Sequence, residues 1–217
     1  MHLTPVAQVG AAACAVFLLC ANAMAIALED SRHNDCGDPF VNAYGPFDYR
    51  TATAAQRNIV EEHHFTPDVE ALRHGITAKL GGELDYTLRA FPNHHRALLS
   101  LIRLGERDRK AKTAGSEFTV ECYLQRAVAF RPNDMTVRRL RGIYYSMQGR
   151  YQAAVDDFNE VLKHEPDNAN AHYNLGLAYF QLKNYDLAAK EARTAQSLGF
   201  ALPGLRQMLQ KAGKWNP

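Results

Sequence analysis

The chain has 217 residues, with 25 Lys and Arg against 23 Asp and Glu and a formal net charge of +2. That near balance excludes nucleic acid and an anionic membrane surface as partners recruited by bulk charge. The length suits one ordinary core or one short solenoid.

The first 30 residues contain no Lys or Arg, and residues 6–28 form an apolar run of 23 rich in small side chains. Ala23-Met24-Ala25 fits the small-x-small pattern read by a signal peptidase. Residues 1–25 are therefore predicted to be a signal peptide that leaves Ile26 as the mature N-terminus. An uncleaved anchor is the alternative, because 23 residues reach across a bilayer. Both readings place the rest of the chain in the periplasm, or anchored facing it. Export removes Cys14 and Cys20 and leaves Cys36 and Cys122. In an oxidising compartment a disulfide tying the tail to the helical array is expected, with two thiols as the alternative.

Residues 26–65 read as an N-terminal arm ending in a helix over 52–64. Asp, Asn, Gly and Pro recur over 29–50, where Phe40, Tyr44, Phe47 and Tyr49 are the apolar handles. Residues 66–92 read as a degenerate helical hairpin. Thr66 caps a helix over 67–74 that stops at Gly75, Gly81-Gly82 form a hinge, and a second helix over 83–91 ends before Pro92. In the unit 93–134, Ala97, Leu98, Leu101 and Leu104 lie at spacings of three and four, as one buried helix face requires. The charged stretch 105–116 is predicted as a loop, and the helix over 118–130 ends at Arg131-Pro132.

Residues 135–168 and 169–202 repeat one pattern at an offset of 34, pairing Gly142 with Gly176, Tyr145 with Tyr179, Tyr151 with Tyr185 and Ala154 with Ala188. A fixed period of this length marks a helix–turn–helix unit that buries its apolar face by stacking on copies of itself. Pro132 to Pro166 is again 34, whereas Pro92 to Pro132 is 40. The unit 93–134 is thus the same repeat with about six residues inserted. Residues 203–217 supply a capping helix and tail, with Leu205, Met208 and Leu209 on one face and Arg206, Gln210 and Lys211 on the other. Trp215 is predicted to pack on it. The fold class is all-α: a short solenoid of antiparallel helix hairpins with an irregular N-terminal arm and a C-terminal capping helix.

These residues resemble the tetratricopeptide repeat (TPR). The first clear copy matches its signature in Gly142, Tyr145, Gly149, Tyr151, Ala154, Phe158 and Pro166, with Arg141 in place of the usual Leu. The second matches in Leu175, Gly176, Tyr179, Tyr185, Ala188 and Ala195. Signature residues of this kind serve packing and imply no chemistry. The head of the arm and the segment 80–107 are similar to short exported proteobacterial repeat proteins without an established activity. Records of that group sometimes carry a permease label, which does not fit, because one apolar segment cannot form a translocation path.

The TPR resemblance implies a concave face lined by the first helix of each hairpin. Its positions fall on Arg96, Leu99 and Arg103, then Arg139, Ile143 and Met147, then Tyr173, Asn174, Leu177, Phe180 and Gln181. The lining is basic at one end and apolar at the other. It implies a non-enzymatic scaffold or assembly factor of the bacterial cell envelope that needs no cofactor. Its partner would be a peptide or protein with an acidic group and apolar anchors. A purely structural array with its groove filled by its own arm is one alternative.

Metal binding or histidine-dependent activity in the N-terminal half is another, built on His63-His64 and His94-His95. Consecutive histidines on a helix diverge by about 100°, so neither pair chelates one ion alone. The chain has no His-Glu-x-x-His or Cys-x-x-Cys, and no serine sits in a Gly-x-Ser-x-Gly turn. No catalytic or metal residue is assigned, and Asp156-Asp157 read as solvated surface.

Overall fold

Six of the ten described helices start on a polar side chain that takes up an otherwise unpaired backbone N–H. Thr53, Thr66, Thr119, Asp134 and Asn168 each accept from the amide three residues on, and His94 does the same for Ala97. Thr53 and Gln56 form a reciprocal capping box. In the computed structural model, residues 36–200 and 202–215 are described, so the expected signal segment lies outside them. The described helices all belong to the compact unit Asp38–Pro217.

Among the described residues there are ten helices and no strand. They are α1 (Ala54–His64), α2 (Pro67–Glu70), α3 (Leu80–Ala90), α4 (His95–Asp108), α5 (Val120–Phe130), α6 (Met135–Met147), α7 (Tyr151–His164), α8 (Ala169–Gln181), α9 (Tyr185–Ser197) and α10 (Gly204–Lys211). Consecutive helices pack pairwise from α4 to α10. One core runs from Phe65 and Val69 through Leu98, Leu101, Tyr123 and Leu124 to Phe158 and Leu175. A smaller one joins Ala188, Ala189 and Ala192 to Leu205 and Leu209 of the capping helix.

Three expectations are corrected. The helix from Pro67 covers four residues and ends where Leu72 adopts φ 58°, so the segment 66–92 does not make its own hairpin. Helix α3 packs instead on α1, which buries Val60 against Ala90 and Phe91, and on α4. Gly81-Gly82 are not a hinge but lie in the first turn of α3. A Cβ on Gly81 would stand 2.5 Å from the Ala114 carbonyl oxygen, so the glycine lets the 109–119 loop lie directly on the helix. Helix α4 continues through Gly105 to Asp108 instead of ending in a loop, because Gly105 packs under Val120 at the start of α5.

Gly142 and Gly176 do what the repeat pattern requires. Added Cβ atoms would meet the Phe158 ring at 2.8 Å and Leu205 at 2.5 Å, so both sites hold neighbouring helices close.

Candidate partner-binding groove

Helices α6 and α8, the first helices of successive hairpins, leave between them a cavity of about 290 Å³. Ile143, Met147, Asn174, Leu177 and Gln181 line it, five of the eleven positions expected to face a partner. Ser146, Tyr151 and Ala178 complete the wall. Ser146 follows Ile143 by three residues and so shares its helix face; helical spacing alone reaches it. Met147 is 46 % exposed, unusual for so large an apolar side chain. The Asn174 amide donates to the Asn170 carbonyl and side chain, and its own Oδ1 accepts nothing among the described residues. The Ser146 hydroxyl is buried without a hydrogen-bond partner among them. An apolar cavity with a free carbonyl oxygen at its wall suits an apolar side chain carried on a peptide backbone.

The other expected positions divide. Arg103 is exposed on α4 and Arg139 lies one turn before Ile143 on α6; neither makes an ion pair among the described residues. Leu99 packs on the main core. Arg96 is engaged within the molecule: both arms of its guanidinium meet the Glu70 carboxylate and it lies over the Phe65 ring. Tyr173 faces the cap, with its ring 4.5 Å from Phe200 and its hydroxyl accepting from the Leu205 amide. Phe180 sits against Tyr185 and the cap-side core. These last two departures share a cause. The capping helix covers the surface that a further repeat would occupy, and the aromatic side chains fill that seam.

The arm occupies a different edge. Tyr44, Phe47 and Tyr49 pack on Ala52, Val60, Ala90 and Phe91, and Phe40 lies 5.5 Å from the Phe130 ring. Polar groups fix it there. The Tyr49 amide donates to Asn93, and the Asn93 side chain donates to Asp48 and Asp134. Arg50, and then Asn93 and Arg131, hold the Asp48 carboxyl well below the usual carboxylate range. No described arm residue lines the α6/α8 cavity, so over residues 38–50 the arm-filled groove is not what the structure contains.

The histidines are likewise dispersed. His64 meets Glu83 at 2.7 Å, His94 meets Glu61 at 3.0 Å and His95 meets Asp134 at 2.9 Å. Each of these three rings thus has its own carboxylate, and His63 is exposed on α1. Glu83 is fully buried. Against that desolvation, His64 and the Ala78, Thr77 and Ile76 amides keep its pKa low. Among the described residues no three His, Cys, Asp or Glu side chains are grouped to hold a metal ion. Asp157 corrects another expectation, being buried and paired with Arg141 rather than solvated. Cys36 and Cys122 are both disulfide-bonded.

Stacked antiparallel helix pairs with exposed first-helix faces and a terminal cap define a helical solenoid of the scaffold class. Residues 139–201 match the family model described as tetratricopeptide repeat, so that stretch carries repeats of this kind. Tetratricopeptide arrays are in general protein-binding scaffolds without catalysis. The fold is similar to that of MamA (41-end) from Desulfovibrio magneticus RS-1, at 21% identity and a TM-score of 0.52, covering 73% of this chain and 84% of that one. MamA from AMB-1 gives 17% identity and 0.51, covering 73% and 88%. A mutant form of MamA is matched over 55% of this chain and 63% of its own, at 21% identity and a TM-score of 0.43. No curated protein is similar to the chain by sequence.

Proposed function

We propose that the protein is a non-enzymatic adaptor or assembly factor of the bacterial cell envelope that holds a partner peptide in the α6/α8 groove. The observation that carries this reading is the open cavity beside exposed Met147, with Arg103 and Arg139 on the first-helix faces and without an ion-pair partner among the described residues. An apolar side chain enters between Ile143 and Leu177, a backbone N–H bonds Asn174 Oδ1, and acidic groups meet the arginines. The export address rests on the apolar N-terminal run and its cleavage pattern. Disulfides at Cys36 and Cys122 support it, because such bonds persist in oxidising compartments.

A photo-crosslinking residue at Met147, compared with one at exposed Asp156, tests the groove. The expected result is one defined adduct at 147 in envelope fractions, none at 156, and its loss when Arg103→Glu and Arg139→Glu are combined with helicity unchanged. Equal capture at both positions, or capture that survives the double substitution, refutes the assignment.

A further inference from the structure

The insertion between α4 and α5 builds something the regular units lack. Their helices are joined by three-residue turns (148–150 and 182–184), whereas α4 and α5 are joined by residues 109–119. That loop, the end of α4 and the end of α6 enclose a second cavity of about 340 Å³. Arg109 and Lys110 contribute two cations to it, and neither has a carboxylate partner among the described residues. Glu106 is the one acidic group in the lining, and its Oε1 takes the Gln148 side-chain amide at 2.8 Å. The lining therefore carries one net positive charge beside the buried ring of Tyr144. Met147 lines both cavities, so the two lie on either side of its side chain at the end of α6.

We propose that this second pocket takes the Asp or Glu side chain of a bound peptide whose apolar side chain occupies the α6/α8 cavity, with Met147 as the shared wall. The inference rests on the groove reading and adds to it a separate anion site, built by the inserted loop with Arg109 and Lys110 rather than by Arg103 and Arg139. Each cavity lies near the lower end of small-molecule sites, roughly 300 to 1,000 Å³, which favours single side chains over a compact ligand. Charge complementarity selects the anion. The first-helix face continues along α4 through Arg103, so a peptide can run on past the pocket and a free chain end is not required.

The test uses the full chain and an array of acetylated, C-terminally amidated dodecapeptides. Each peptide carries one Leu and one Glu at a stepped spacing of one to four residues, with Gln replacing Glu in a matched set. At low salt the Glu peptides should outbind their Gln partners about fivefold at one spacing, and the difference should shrink as salt rises. Arg109→Gln with Lys110→Gln should erase the Glu preference and leave the dependence on Leu. Both side chains are exposed, so helicity should be unchanged. Equal binding of Glu and Gln peptides, or a Glu preference that survives the double variant, overturns the inference and leaves the groove standing. Binding only to a parallel set with free C-termini overturns it too. Absence of any Leu-dependent binding removes the groove reading as well.

Discussion

Arg141 stands where the tetratricopeptide signature has a leucine, and its partner explains how a charge is tolerated there. Its Nε and Nη2 reach the two oxygens of Asp157 at 2.8 and 2.6 Å, with Arg138 a further 3.8 Å neighbour. Asp157 on α7 recurs 34 residues later as Glu191 on α9, also buried, where His172 meets it at 2.6 Å. The same second-helix position thus holds a buried acid twice, served by a different base each time. Removing only Asp157 leaves a largely buried guanidinium without its counter-charge, whereas removing both leaves an apolar contact. Asp157→Ala is expected to cost about 2 kcal/mol in urea unfolding, and Arg141→Leu with Asp157→Leu much less. A double variant as unstable as Asp157→Ala would mean that the pair contributes only side-chain volume. The buried acid was not legible in the sequence, because an Asp-Asp pair on a helix has no signature that says which member turns inward.

At the scale of the element, the repeat is most regular where one helix hands over to the next. His94, Asp134 and Asn168 follow Pro92, Pro132 and Pro166 by two residues, and each caps the helix that follows. The prolines made these helix starts readable from sequence; the histidine in a capping role was not, since His is an uncommon cap. His94 Nδ1 accepts from the Ala97 amide, so the ring proton lies on Nε2 and is donated to Glu61. Tyr49 stacks on the ring, Phe65 and Phe91 close its edges, and Arg96 lies near. Burial pushes the pKa of His94 down from 6.5, against the pull of Glu61. As pH falls through that ordinary value, the unfolded chain takes up a proton that the folded chain refuses, and stability falls by at most about 1.4 kcal/mol per pH unit. The loss stops only where folded His94 titrates. Glu61, Glu83 and Asp134 act in a lower window: their pKa values are lowered in the fold, so their contribution is present above the ordinary carboxylate range and is lost as pH drops through the folded values. Thermal unfolding between pH 7.5 and 5.5 should therefore show a falling Tm that flattens in His94→Asn, which keeps a capping oxygen and removes the titration. Parallel slopes for the two proteins would show that His94 is not the group responsible.

At the scale of the whole molecule, the period of 34 made three hairpins and a cap legible because packing signatures repeat by design of the stack. The first hairpin was not legible. Its helices, α1 and α3, are separated by α2 and a long connection, so no fixed period joins them. The groove was half legible. First-helix positions between α6 and α8, where one hairpin faces the next, line a common cavity, whereas Tyr173 and Phe180 pack where the cap replaces a hairpin. That cap also governs how stability is distributed. In a solenoid each unit is held by its neighbours, so loss of an end is felt mainly by the adjacent unit. Helix α10 covers Ala188, Ala189 and Ala192 with Leu205 and Leu209, both fully buried. Deleting residues 203–217 uncovers that face and leaves α8 and α9 with packing only on the α7 side. Hydrogen exchange should then show protection lost in α8 and α9 and retained in α4 to α7, with unfolding spread into two steps. Uniform loss of protection from α1 to α9 would instead mean that the array folds as one cooperative block, with the cap supporting the whole and not only its neighbour.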